Sequence, residues 1–230
     1  GAWNLLLKNN VRWNLNRTAS QVDYSSLQRN REFLSQYIDK VTAVSRTEFD
    51  SFSRAQQLAF LINAYNAFTV ELILTEYPEV ASIKDLGSLF SSPWKKKFFR
   101  LFGEPQSLDG IEHGLIRGSG RYNEPLIHFA VNCASIGCPA LLDEAFVADR
   151  LEQQLLESTR RFLNDRSRNR FVEESGTLEI SSIFDWYAED FAKGWRVYDS
   201  LLDFFRTHAD WISDDAVAVE RFLNGTLKIE

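Results

Sequence analysis

Methionine is absent from the sequence, and its 230 residues include only two cysteines, three histidines and five prolines. Each shortage excludes something. Cys133 and Cys138 cannot staple a chain of this length as a disulfide scaffold. With only three histidines beside them, a four-ligand Cys/His zinc centre would need carboxylates. No tract rich in proline, glycine or serine divides the chain, so one domain over 1–230 is expected. No apolar run approaches the roughly 20 residues of a membrane span. The start shows no charged segment followed by an apolar one. The chain therefore reads as soluble, with no integral membrane segment. A chain without methionine that opens at Gly1 reads as trimmed. A periplasmic or exported location is expected, with a cytoplasmic one as the alternative.

The net charge is −6, and an acidic surface repels phosphate backbones, so no nucleic-acid partner is expected. The one basic cluster, Lys95-Lys96-Lys97 with Arg100, is too short to argue otherwise and reads as a solvated turn. No glycine-rich phosphate loop, serine nucleophile elbow or zincin helix occurs, and nothing calls for a cofactor.

What is present is a helical pattern. Trp3 and Trp13 anchor an N-terminal arm, and Leu27, Leu34, Tyr37, Ile38 and Val41 recur at helical spacing, predicting a helix over 24–44. Ser53-Arg54-Ala55-Gln56 reads as a capping box opening a long apolar helix that Pro78 cannot continue. Asn63 and Asn66 lie within it, and buried amides need partners. Residues 79–106 read as irregular. Ser107 is a cap for a short helix over 108–117. Leu126 to Cys133 reads as a strand by its β-branched and aromatic content. Asp149 to Leu163 reads as a helix, Arg170 to Ser181 as a hairpin around Ser175-Gly176, and 182–192, 200–211 and 216–223 as further helices before Leu227-Lys228-Ile229. The expected fold is α+β: a helix-rich domain with a small, mainly antiparallel sheet.

Chemistry concentrates between His113 and Cys138. Glu112 falls in the middle of the apolar stripe of Leu108, Ile111, Leu115 and Ile116, where an ionised carboxylate is costly unless paired. It is either a structural contact or part of the setting for a catalytic His113. Cys133 enters the small-residue turn Ala134-Ser135-Ile136-Gly137, where a thiol beside an imidazole becomes a nucleophile; buried filler is the competing reading. Cys138 pairs with Cys133, acts as a resolving thiol or fills a pocket. His128 reads as a satisfied core histidine, His208 as a helix residue without chemistry, and Asp185-Trp186-Tyr187 as packing.

These segments resemble the bacterial DUF547 family. The resemblance rests on Phe60-Leu61-Ile62-Asn63-Ala64-Tyr65-Asn66-Ala67, Leu108-Asp109-Gly110-Ile111-Glu112-His113-Gly114-Leu115-Ile116-Arg117, His128-Phe129-Ala130-Val131-Asn132-Cys133-Ala134-Ser135, Cys138-Pro139 and Asp185-Trp186-Tyr187. These motifs stand in one order over roughly 50–195. The family is similar to papain-like and transglutaminase-like cysteine enzymes, which implies a permuted cysteine-protease-like core. On that resemblance Cys133 is the nucleophile, His113 its base, and Glu112 or an asparagine the orienting group. Adjacent Glu112 and His113 diverge by about 100° on a helix, so Asn63 or Asn66 is the better orienting candidate, with Ser135 and Cys138 as further binding candidates. The expectation is a cysteine-dependent hydrolase or acyl transferase acting on a peptide-like or small-molecule amide, without a metal. The alternatives are a non-catalytic binding or scaffold module that keeps the same core, and a metal site at His113, Cys133 and a carboxylate.

Overall fold

The computed structural model describes residues 1–80, 82–87, 92–135, 137–172, 174–225 and 228–229; Ile136 of the predicted turn, Glu173 of the predicted hairpin and Leu227 lie outside the described residues. The chain opens with α1 (Ala2–Asn10), the hairpin β1 (Val11–Trp13) and β2 (Ser20–Val22), then α2 (Tyr24–Arg29), α3 (Arg31–Ala43) and α4 (Arg46–Ser51). The helix expected over 24–44 is thus two helices. They meet at Asn30, whose amide donates back to the Ser26 carbonyl at 2.9 Å and so competes with helix continuation.

The organising element is α5 (Arg54–Leu74). Its capping box forms as the sequence predicts: Ser53 Oγ accepts from Gln56 N, and Gln56 Oε1 accepts from Ser53 N at 2.8 Å. The helix is buried on every side. Leu58, Leu61, Ile62, Tyr65, Phe68 and Leu72 face the main core, while Ala67, Val70 and Leu74 meet Trp3, Leu6, Leu7, Leu27 and Leu34 of the N-terminal arm. By length and mean composition alone α5 is long and apolar enough to cross a membrane, although Gln57, Asn63, Asn66 and Glu71 interrupt its apolar run. Protein surrounds it instead, with 89% of its apolar window buried.

Beyond α5 the expected irregular segment contains a second hairpin, β3 (Phe99–Leu101) and β4 (Glu104–Gln106). Its turn residues Phe102 and Gly103 both take positive φ, 56° and 80°, the two-residue geometry that matches strand twist. The helix expected over 108–117 is a π-helix over Gly110–Ile116. The strand expected over 126–133 is instead a 3-10 turn, Pro125–Phe129. Pro125 takes the first helical position and Glu124 Oε1 caps Leu126 N at 3.0 Å, and this local start signal overrides β-branched content.

The remainder comprises α6 (Leu151–Leu163), the predicted hairpin as β5 (Arg170–Val172) and β6 (Thr177–Glu179), α7 (Ile183–Trp186), a 3-10 turn over Ala188–Ala192, α8 (Leu201–Thr207), α9 (Ala209–Ile212), α10 (Ala216–Asn224) and β7 (Lys228–Ile229). β7 pairs parallel with β6, so the described strands form three small sheets, antiparallel apart from that contact. The fold is α+β. Lys95, Lys96 and Lys97 are exposed, as a solvated turn requires.

Phe129, Phe162, Phe184, Phe191, Phe204 and Phe205 fill the centre, all essentially buried. Beside them His208 is buried, shares a hydrogen bond of 2.9 Å between its Nε2 and the Tyr198 hydroxyl, and stacks on Trp211. Burial, with the Arg196 charge adding to it, lowers its pKa from 6.5 to about 4. Below pH 6.5 the unfolded chain therefore takes up a proton that the folded chain refuses, so this contribution to stability is present above 6.5 and lost as pH falls towards 4. Denaturant unfolding is expected to show about 2–3 kcal/mol less stability at pH 4.5 than at pH 7 from this group. His128, also lowered, acts in the same direction, so the comparison is with His208→Gln. An identical pH slope in that variant would remove His208 as the source.

Candidate functional site

The π-helix sets one wall. Ser107 Oγ accepts from Gly110 N at 3.0 Å and starts the wide turn. At its end, a Cβ on Gly118 would stand 2.7 Å from the His113 carbonyl oxygen, so no larger residue fits there without moving backbone. The turn carries Leu108, Ile111 and Ile116 into the core and takes Glu112 with them, buried. His113, the next residue, faces solvent; its Nδ1 accepts from Arg117 Nη1 at 2.9 Å and its Nε2 lies 3.9 Å from Asp109.

The opposite wall comes from the 3-10 turns at 125–129 and 188–192. His128 is buried, its ring stacked on Tyr187 at 3.7 Å. Its Nε2 donates to Asp190 Oδ2 at 2.8 Å. The same oxygen accepts from Arg117 Nε at 2.5 Å, and Asp190 Oδ1 accepts from Lys193 Nζ at 3.0 Å. Burial opposes the Asp190 charge, but the three donors outweigh it and hold the carboxyl well below the usual range. Burial lowers the His128 pKa against the pull of Asp190 and Glu112, so the ring is neutral at pH 7. With Nε2–H committed to Asp190, the lone pair is at Nδ1. That atom is buried without a hydrogen-bond partner; Glu112 Oε1 lies 3.8 Å away.

Between these walls is a cavity of about 50 Å³ lined by Tyr65, Glu112, His128, Cys133, Cys138 and Tyr187, among others. Such a space holds about one or two waters. Burial and the nearby Glu112 carboxylate raise both phenols, Tyr65 and Tyr187, so each keeps its proton for donation. Cys133 and Cys138 are joined by a disulfide with Cα atoms 5.9 Å apart. Cys133 is half-buried and Cys138 buried. Closing so short a loop constrains the unfolded chain little, about 2 kcal/mol. The loop has its own ties: Asn132 Nδ2 donates to Pro139 O at 2.7 Å, Ala134 N to Asn132 Oδ1 at 3.0 Å and Cys138 N to Ser135 O at 2.9 Å.

Of the residues singled out in sequence, Glu112, Cys133 and Cys138 meet at this cavity; His113 does not line it. Asn66 supports it indirectly, accepting from Asn132 N at 2.8 Å and donating to Ala130 O at 3.0 Å. Asn63 bonds both backbone groups of Phe146 in the same manner. Neither amide reaches an imidazole by these bonds. Ser135 does not line the cavity; its carbonyl accepts from Cys138 N within the loop. His128, Asp190 and Arg117 were not selected in sequence, because their partnership spans 62 and 73 positions and leaves no local pattern. A larger groove of about 660 Å³ lies beside Arg54, Trp195 and Arg196, and there Arg196 is already bonded to Glu124 and Glu152. Among the described residues no group of three or more His, Cys, Asp or Glu is placed to hold a metal ion.

No curated protein and no solved structure matches the chain. The family described as "Protein of unknown function, DUF547" matches residues 49–163, a stretch holding the long central helix, the π-helix, His128 and both cysteines. The chain belongs to the DUF547 family.

Proposed function

We propose that the chain is a cysteine-dependent hydrolase or acyl transferase acting on an amide or peptide bond, with Cys133 in its thiol form as nucleophile and His128, rather than His113, as the base. The observation that carries this reading is the Asp190–His128 pair, in which His128 Nδ1 has no hydrogen-bond partner and His128 lines the same cavity as Cys133. In the reaction, Cys133 passes its proton to His128 Nδ1 and the thiolate attacks the carbonyl carbon. Asp190 holds the ring by Nε2 and stabilises the imidazolium that forms, without itself taking the proton. The phenols of Tyr65 and Tyr187 stay protonated and bond to the Glu112 carboxylate; a phenol that turns from Glu112 to the substrate is the donor for the developing oxyanion. His128 then returns the proton to the leaving amine. Water or a second nucleophile resolves the thioester.

The disulfide favours the second reading, a binding or scaffold module in which the cavity performs no reaction. One experiment separates the two. After reduction, iodoacetamide should alkylate Cys133 at pH 6 about 100-fold faster than a simple thiol, because an imidazole-paired thiol ionises well below its usual pKa of about 8.5. His128→Gln should abolish the excess, and His113→Gln should leave it. Alkylation at the rate of a simple thiol, indifferent to His128, would sink the enzyme and leave the module.

A further inference from the structure

We infer that the Cys133–Cys138 disulfide is a reversible redox latch on this cavity, opened in the folded protein by an external thiol reductant that releases the Cys133 thiol. The inference rests on the reading of Cys133 as nucleophile and adds its regulation. In the bonded form both sulfurs are used up, so neither is available as a nucleophile at the small cavity that both cysteines share with His128.

The latch can open without dismantling its surroundings. The ends of the loop are joined by Asn132 to Pro139, and its entry is bonded to α5 through Asn66, all independent of the sulfur bond. The two cysteines are also unequal: Cys133 is half-buried, whereas Cys138 is buried. Ala134, directly after Cys133, has φ +54°, a conformation that costs energy outside glycine and is retained where the surroundings impose it. A bond whose purpose was stability would gain more by joining distant segments than by closing this short loop.

The chemistry balances as thiol–disulfide exchange. A reductant thiolate attacks Cys133 Sγ, the S–S bond breaks, and Cys138 departs as a thiolate that takes up a proton. A second reductant thiolate attacks the reductant sulfur of the mixed disulfide, and Cys133 departs as the thiolate. Two electrons pass to the protein, and the reductant ends as its own disulfide.

The test uses the full chain in glutathione buffers ranging from reduced to oxidised. N-ethylmaleimide trapping with mass spectrometry counts free thiols, while near-ultraviolet circular dichroism monitors packing. The expected result is reversible passage between no free thiol and two, with an unchanged spectrum and Cys133 blocked about 10-fold faster than Cys138 by its greater exposure. Opening only in denaturant, opening with loss of the spectrum, or two free thiols in the oxidised buffer would each overturn the latch. The nucleophile reading is judged separately, by the effect of His128→Gln on the fully reduced chain, so either can fail without the other.

Discussion

Asp190→Ala is expected to destabilise the protein by about 3–5 kcal/mol, the cost of breaking a buried ion pair from one side. The Asp190 carboxylate is fully buried and receives His128 Nε2, Arg117 Nε and Lys193 Nζ. Removing it leaves the Arg117 guanidinium, about one-fifth exposed, beside a buried imidazole without the carboxylate that bonds to both. Lys193 is partly exposed and recovers water, so its share of the loss is small. For a chain of this length the loss corresponds to a fall in melting temperature of roughly 10 °C. Asp190→Asn keeps the volume and one acceptor and should lose less stability, yet it removes the charge that stabilises an imidazolium. The variant therefore separates folding from chemistry: near-normal melting with slow Cys133 alkylation after reduction supports Asp190 as a positioning residue. Wild-type stability in Asp190→Ala, measured by urea unfolding, would show that the three donors do not depend on it.

The elements that were legible in sequence are those whose signal is local. The Ser53–Gln56 capping box and the apolar content of α5 lie within a few residues of one another, and the structure realises them. The hairpin around Gly176, at φ +65°, was legible because glycine advertises the left-handed turn. The hairpin at 99–106 was not, because Phe102 takes the other left-handed position and carries no such sign. The segment after Pro125 was misassigned to a strand because its residues are rich in β-branched and aromatic side chains, although proline at the first position and Glu124 before it encode a helical turn. The site divides along the same line. Glu112, Cys133 and Cys138 stood out because each is chemically conspicuous where it sits, and all three line the cavity. His113 drew attention through its acidic neighbour, but adjacent positions on a helix part company, and its ring pairs with Arg117 at the surface. His128 was passed over as an ordinary core histidine. What distinguishes it is Asp190, which comes from a turn packed against it by tertiary structure alone.

Phe184→Ala is expected to cost about 3–5 kcal/mol, and to loosen the Asp190–His128 pair as it does so. Phe184 is fully buried and touches Phe129, Phe162, Phe191, Phe204 and Phe205, with ring centroids 4.9 to 6.2 Å apart. Two of these rings are the chain neighbours of the polar pair: Phe129 follows His128, and Phe191 follows Asp190. The aromatic cluster thus fixes the backbone on both sides of the 2.8 Å bond between His128 and Asp190. A cavity in the cluster lets the two turns shift relative to each other. That argument predicts coupling, which simple loss of apolar burial does not. In a double-mutant cycle Phe184→Ala with Asp190→Ala should deviate from additivity by about 0.5–3 kcal/mol, the range for residues sharing a packed unit. The deviation should reduce the combined cost, since a pair already loosened has less to lose. A third substitution at Leu34, buried against the N-terminal arm in the other cluster, serves as the control and should add to each within about 0.5 kcal/mol. Strict additivity of Phe184 and Asp190 would mean that the polar pair holds its own geometry and owes the aromatic centre nothing beyond its share of the total stability.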